Sequence, residues 1–197
     1  MKQIKRRLAS LLFLACATLA SAQTSKPAEH ASTPPLSAGE VIDSWISITE
    51  THLVGVADAM PEGKYSFAPS NGEFNGVRTF AEQIKHVASN NYRMAAKMLG
   101  KKPTSDQENE EGPDSAKSKA EIVEYLKASF AALHKAVASI DEKNEVEPLK
   151  GSSGTWQRAR LGLAVDAIAH SFNHYGQMGG IPAHERHRSA RKQMSIT

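Results

Sequence analysis

The stretch "EIVEYLKASFAALHKAVASI", residues 121–140, decides the fold class. Ser118 and Glu121 form a capping-box pattern at its start, which predicts the beginning of a helix. An apolar face with helical spacing buries one side of such a helix and leaves the other to solvent. The large apolar residues that show this spacing are Ile122, Leu126, Phe130, Leu133, Val137 and Ile140.

Three further segments show the same helical period. Helix one is predicted from the capping pair Ser37 and Glu40 to about Met60, and helix two from about Val77 to about Leu99. No segment shows the alternation typical of a strand. We therefore predict an all-α fold, a four-helix bundle with long loops after helices one and two. Helix three is the stretch described above, and helix four is predicted after residues 151–155. The predicted core face of helix four carries Leu161, Val165, Ile168 and Phe172.

The N-terminal residues have the order of a secretory signal peptide. Basic residues are followed by an apolar run over 8–20 and by the cleavage pattern Ala20-Ser21-Ala22. Cys16 would also allow a lipoprotein signal, although the preceding sequence fits that signal poorly. We predict removal of residues 1–22 and an exported chain, periplasmic or secreted. Cleavage also removes the single cysteine, which excludes disulfides and thiolate nucleophiles from the mature chain.

The mature chain is predicted to be near neutral. The full sequence has 24 basic and 21 acidic residues, but four of the basic ones lie in the signal, leaving 20 against 21. We therefore expect no nucleic-acid partner. No other segment is long and apolar enough for a membrane anchor. Residues 23–37, with three prolines, are predicted to be a disordered linker before the bundle over residues 38–178.

The stretch "HSFNHYGQM", residues 170–178, places two histidines one turn apart on predicted helix four. With Asp166 and Gln177, His170 and His174 lie nearly opposite the predicted core face. Two imidazoles at this spacing can bind one metal ion, although a third ligand is then needed. The alternative is a solvated helix face.

Three histidines on other helices are candidates for the third ligand. His86 lies well inside helix two, where Gln83 and Asn90 flank it on the face away from the apolar residues. It is the best candidate, while His52 on helix one and His134 on helix three compete with it on chemistry alone.

Two motifs resemble those of a known family. Residues 60–92, "MPEGKYSFAPSNGEFNGVRTFAEQIKHVASNNY", and the "HSFNHYGQM" stretch are similar to the DinB-like family of four-helix-bundle metalloproteins, in particular its secreted bacterial members. Those proteins show "MPEEKYSF", "RTFGEQ", "HVA" and a final "H-x-x-x-HYGQ" pattern. The resemblance extends from about Trp45 to Met178.

The resemblance implies a ligand set. In that family, one histidine of the second helix and two of the last hold the ion, and these positions fall on His86, His170 and His174. His52 and His134 match no ligand of the family. Three neutral imidazoles leave coordination positions open, as at a catalytic metal site. A divalent ion, zinc or nickel, is expected, and iron or copper also accepts this ligand set.

The resemblance also implies a class of activity. It predicts a metal-dependent hydrolase or a thiol-dependent transferase that acts on an unidentified small molecule, and export favours metal–water chemistry. Asp166, one turn before His170, is the weak candidate for a general acid or base, with a solvated carboxylate as the alternative. A non-catalytic exported metal-binding or interaction protein is the alternative function. The sequence is compatible with a homodimer and does not determine the oligomeric state.

The sequence departs from the family pattern after Met178. Two glycines and Pro182 predict the end of helix four and an irregular tail over residues 179–197. Secreted members of the family continue "VVYLRMNGIVPP". Codons that encode residues 179–190, "GGIPAHERHRSA", can encode that continuation when they are read one nucleotide later. We hypothesise that an inserted nucleotide put the tail out of frame, which resequencing of the coding region would test.

Overall fold

The structure, a computed structural model, describes residues 34–69, 76–151 and 159–194, with residues 179–194 described by their backbone alone. Within these ranges the regular secondary structure is helical and no strand occurs, so the all-α prediction is confirmed. The predicted signal peptide and almost all of the predicted linker lie outside these ranges. No helix in the described part of the chain combines the length and the apolar character that a membrane span requires.

Four long helices form the bundle and a short helix lies between the second and third of them. Helices α1 and α2 each pack against both α4 and α5, so the order around the bundle is α1, α4, α2, α5. A single 3₁₀ turn, Glu62–Lys64, follows α1. The helices are α1 (Ala38–Ala59), α2 (Phe80–Met98), α3 (Ser105–Glu108), α4 (Lys119–Val137) and α5 (Arg160–Met194).

Capping boxes begin three of the long helices. Ser37 caps α1 and Ser118 caps α4, both as predicted, and Thr79 forms an equivalent box with Glu82 at the start of α2. In each box the hydroxyl accepts from a backbone N–H of the first turn, and the glutamate accepts in return. Because such a cap contributes about 1 kcal/mol, these short motifs set the starts of the helices reliably.

The loop after α1 packs onto the bundle through aromatic residues. Its sequence, rich in turn formers, predicts such packing through Tyr65, Phe67 and Phe74. Tyr65 is buried, donates its hydroxyl to the carbonyl of Ala57 at 2.8 Å, and meets Phe80 edge to face with ring centroids 5.2 Å apart. Phe67 is partly buried against the same core. Phe74, which was expected to pack with them, lies outside the described residues.

The predicted core face of helix four is only partly correct. Ile168 is partly buried against the core, but other residues form the buried face. Val165 is 50% exposed, whereas Leu163 and Met178 are fully buried. Small side chains explain the difference, because they allow a helix to approach its neighbours closely while contributing little to a hydrophobic pattern. The buried face of α5 includes Leu163, Ala164, Ala167, Ser171, His174 and Met178.

The prediction that helix four ends at the two glycines and Pro182 is wrong. Helix α5 continues to Met194. A proline removes one backbone hydrogen bond and costs about 3 kcal/mol in a helix interior, but it does not prevent good helix formers beyond it from continuing the helix. Residues 183–194 include alanine, glutamate, arginine, lysine and glutamine. The frameshift hypothesis for the tail stays a prediction.

The connection between α2 and α4 is more structured than predicted. It contains α3 and a turn over residues 109–113 that packs onto α2. Gly112 has a φ of +73°, and a Cβ there would lie 2.7 Å from the Cβ of Lys85. The turn therefore requires glycine both for its backbone conformation and for its close approach to α2.

His134 of α4 forms hydrogen bonds with two carboxylates of α1, which are remote from it in the sequence. Its Nδ1 lies 2.5 Å from Oδ1 of Asp43, and its Nε2 lies 3.1 Å from Oε2 of Glu50. Burial alone would lower the pKa of His134, but hydrogen bonds to Asp43 and then Glu50 raise it above its usual value. A raised pKa means that the folded protein binds the proton more tightly than the unfolded chain does. The resulting stabilisation is fully present below the unfolded pKa and is lost as pH rises through the folded pKa.

We therefore expect His134→Gln to lower the free energy of unfolding more at about pH 6 than at about pH 9. Urea denaturation at the two pH values measures the difference. The Asp43→Asn/Glu50→Gln double variant is the control, because His134→Gln should have no pH-dependent effect in that background. If His134→Gln alone lowered the free energy of unfolding equally at both pH values, Asp43 and Glu50 would not stabilise a protonated His134.

Candidate metal centre

Three histidines from α2 and α5 meet in the bundle. His86 comes from α2, and His170 and His174 come from successive turns of α5. One ring nitrogen from each lies within 4.8 Å of the corresponding nitrogens of the other two. The ring centroids are 5.1 Å apart for His86 and His170, 4.9 Å for His86 and His174, and 4.5 Å for His170 and His174.

The spacing of the nitrogens suits a shared ion. Nε2 of His86 lies 3.2 Å from Nε2 of His170. Two imidazole nitrogens bound tetrahedrally at about 2.0–2.1 Å from one zinc ion lie about 3.3 Å apart. The observed pair is therefore close to the separation that coordination requires, and the three side chains could hold a divalent ion.

Hydrogen bonds orient two of the three rings. Nδ1 of His86 donates to the main-chain carbonyl of Glu110 at 2.8 Å. Nδ1 of His174 donates to Oε1 of Gln83 at 2.5 Å. With the proton on Nδ1, each ring presents the Nε2 lone pair toward the centre, which is the form that binds a metal ion.

Carboxamides extend the contacts of His174. Nε2 of Gln83 donates to Oε1 of Gln177 at 3.1 Å, and Nε2 of Gln177 donates to Oδ1 of Asn173 at 2.8 Å. Because the amide nitrogen of Gln83 already donates to Gln177, the amide oxygen of Gln83 faces His174. This series of hydrogen bonds therefore determines which ring nitrogen of His174 carries the proton.

His170 lacks an equivalent partner. Its Nδ1 is buried and forms no hydrogen bond within the described structure. Asp166, one turn earlier on α5, forms no hydrogen bond to His170 in that same set of residues. Burial raises the pKa of the Asp166 carboxyl, and Lys97 partly opposes this shift. Asp166 therefore does not orient the imidazole of His170 through a hydrogen bond.

The environment keeps the three imidazoles neutral. Burial, then the neighbouring His174 and His86, lowers the pKa of His170 to about 3. Burial, then His86, lowers the pKa of His174 to about 4, and burial likewise lowers the pKa of His86. At neutral pH all three rings retain the lone pairs that metal coordination needs.

Comparison with known families agrees with this geometry. A model of the DinB superfamily matches residues 46–178, about two thirds of the 197 residues. The chain belongs to the DinB superfamily. No characterised protein matches it closely enough to count as a relative. In this DinB-superfamily protein the matched range contains the three histidines of the candidate metal centre, together with Gln83 and Gln177.

The other histidines discussed above lie elsewhere in this DinB-superfamily protein. His52 packs on the outer part of α5, with its ring 5.1 Å from that of Tyr175 and 6.0 Å from that of Phe172. His134 is held between Asp43 and Glu50 on α1. Neither belongs to the group around His86.

A turn over residues 109–113, here called the strap, covers one side of the candidate metal centre in this DinB-superfamily protein. Arg78 forms hydrogen bonds of 2.9–3.1 Å with both carboxylate oxygens of Glu111. Arg93 lies 3.5 Å from the carboxylate of Glu110, whose main-chain carbonyl binds His86. Sequence analysis missed the strap, because the decisive contact is made by a main-chain carbonyl and carries no side-chain signal.

A groove of about 540 Å³ opens beside this centre. Gln83 and Gln177 form part of its wall, and the ion pair of Arg78 with Glu111 forms another part. The sequence predicts a pocket closed by the loop after helix one. That loop contributes to this groove, and the strap contributes as well. The groove thus gives small polar molecules a place to lie against the hydrogen-bonded partners of His174.

Proposed function

We propose that this DinB-superfamily protein is an exported metalloenzyme, in which His86, His170 and His174 bind one divalent ion. The observation that carries the proposal is the convergence of three imidazoles, two of them oriented by hydrogen bonds from their outer nitrogens. Three neutral ligands leave positions open for substrate or water. Zinc or nickel suits this ligand set, and iron or copper also accepts it.

We propose hydrolysis or thiol-dependent group transfer as the reaction class. A bound divalent ion would polarise a carbonyl or lower the pKa of bound water. The protein's own contribution is orientation, because Glu110 and Gln83 each hold an imidazole in the required tautomer. Arg78, Gln83 and Gln177 supply polar groups along the groove for a small-molecule substrate.

One observation favours the alternative, a non-catalytic metal-binding or interaction protein. A hydrolytic site needs a general acid or base within hydrogen-bond reach of the reacting atoms. Within the described residues, Asp166 forms no hydrogen bond or ion pair with the histidines, and the nearby carboxylates of Glu110 and Glu111 face arginines. Metal-bound water would then remain without an assigned proton acceptor.

A turnover assay distinguishes the two functions. The full chain, loaded separately with zinc and nickel, is offered a panel of ester, amide and lactone substrates, with and without a low-molecular-weight thiol. We expect turnover that requires the ion and disappears in His170→Ala. Stoichiometric metal binding without turnover on any substrate would favour the alternative, and a large loss of rate in Asp166→Asn would assign that carboxylate a role in catalysis.

We propose export because residues 1–22 have the pattern of a signal peptide. Mass spectrometry of the protein recovered outside the cytoplasm should find Gln23 at its N-terminus. A lipid-modified Cys16 at that position would instead make the protein membrane-anchored.

A further inference from the structure

A second cleft lies at the other end of α2 and α5. It has a volume of about 690 Å³ and is bounded by the end of α2, the connection before α5 and the first turn of α5. Lys97 follows His86 by eleven residues on α2, and Arg160 precedes His170 by ten on α5. At 1.5 Å per residue, the cleft is displaced by about 15 Å along each helix from the candidate metal centre. It is therefore a separate feature.

The charges around this cleft are strongly segregated. The described side chains include 14 lysines and arginines and 18 aspartates and glutamates, so that part of the chain is acidic as a whole. Five of the basic residues and one of the acidic residues line the cleft, which we call the basic cleft. They are Lys97, Lys101, Lys102, Lys150, Arg160 and Glu147.

Arg160 is part of the wall of the basic cleft. Its Nε donates to the carbonyl of Met98 at 3.1 Å, and its Nη1 donates to the carbonyl of Asn144 at 3.3 Å. The same Nη1 lies 3.9 Å from a carboxylate oxygen of Glu147. The guanidinium thus joins the end of α2 to the connection before α5. Glu147, the single acidic residue among the described residues of the lining, lies beside it.

The lysines of the basic cleft form no close pairs with carboxylates in the described part of the chain, although the charge of Lys97 acts on the Asp166 carboxyl. Within the described residues, none of Lys97, Lys101, Lys102 and Lys150 forms an ion pair, and none of their ammonium groups donates a hydrogen bond. Like charges gathered around a concave surface repel one another, and a bound anion would remove that repulsion. The lining is partly apolar, because it includes the exposed Pro148 and the partly buried Leu149.

The kind of anion follows from these groups. An ammonium is a compact point charge that suits phosphate, whereas planar carboxylates are best bound by a free arginine fork. Arg160, the one arginine among the described residues of the lining, is already bonded to two main-chain carbonyls. The volume lies within the roughly 300–1,000 Å³ of small-molecule sites and exceeds what one inorganic phosphate needs.

We propose that the basic cleft binds a small organic molecule with two or more phosphate groups. The phosphates lie among Lys97, Lys101, Lys102 and Lys150, and the uncharged part of the molecule packs on Pro148 and Leu149. This site is independent of metal binding at the three histidines, so either proposal can fail without the other.

Isothermal titration calorimetry of the full chain with inorganic tripolyphosphate and with adenosine triphosphate, at low salt without divalent ions, tests the proposal. We expect both to bind and Lys101→Gln/Lys150→Gln to weaken both by at least about tenfold. Lys127→Gln/Lys135→Gln removes the same charge from the exposed face of α4 and should change binding by less than about twofold. His170→Ala should leave binding unchanged.

Three results would overturn the proposal. The first is the absence of tripolyphosphate binding in the millimolar range, including the case where phosphatidylglycerol vesicles bind instead. The second is an equal loss of affinity in the two double-lysine variants, because binding would then respond only to the net charge of the protein. The third is citrate binding as tightly as tripolyphosphate, because the basic cleft would then not select phosphate.

Discussion

Replacing His174 by alanine is expected to abolish stoichiometric zinc or nickel binding, with an affinity loss of at least about 100-fold. His174 supplies one of only three imidazoles, and its outer nitrogen is already committed to Gln83. The two remaining ligands would bind a divalent ion weakly. Even the loss of a residue that only forms a hydrogen bond to a metal ligand lowers the metal affinity by roughly 10- to 100-fold. Competitive titration with a chromophoric chelator measures the affinity. His52→Ala is the matched control, because His52 packs against Tyr175 and lies outside the site.

Variants of the carboxamides should give a graded series. Gln83→Ala removes the acceptor that sets the tautomer of His174, so we expect it to weaken metal binding by roughly 10- to 100-fold. Gln177→Ala removes a group one step further away and should have a smaller effect. Wild-type affinity in Gln83→Ala would show that this hydrogen bond does not organise the centre.

Replacing Phe130 by alanine is expected to lower the free energy of unfolding by about 3–5 kcal/mol. Phe130 is 1% exposed and lies on the core face of α4, the helix that packs against both α1 and α2. Its removal forfeits the burial of a large ring and leaves a cavity that the bundle can fill only in part. Urea denaturation followed by circular dichroism measures the change.

Val165→Ala is the control for Phe130→Ala. Val165 was predicted to be a core residue of helix four but is half exposed, so its loss should cost within about 0.5 kcal/mol. A loss of 3 kcal/mol or more, of about the size expected for a core residue, would mean that α5 presents a different face to the bundle.

Large apolar residues made most of the fold predictable. Ile122, Leu126 and Leu133 of α4 are buried as their spacing predicts, and the capping boxes at Ser37 and Ser118 begin their helices as expected. The same method failed on α5. Its buried face includes Ala164 and Ala167, which contribute little to a hydrophobic pattern. The predicted core face was instead based on larger residues that are exposed or half-buried.

The candidate metal centre was predictable only in part. The four-residue spacing of His170 and His174 indicated a pair, but chemistry alone did not separate His86 from His134. Resemblance to a family selected His86, and the structure brings it to the pair. The carbonyl of Glu110 could not be predicted, because any residue offers a main-chain carbonyl and its position depends on the tertiary fold of the strap.

The central claim is that one divalent ion is held by His86, His170 and His174. X-ray absorption spectroscopy of the zinc-loaded full chain, after removal of unbound metal, tests it most directly. We predict one zinc per chain with three imidazole nitrogens at about 2.0–2.1 Å and a further light-atom ligand. Absence of bound zinc, or a first shell of oxygen ligands without the outer-shell scattering of imidazole, would contradict the claim.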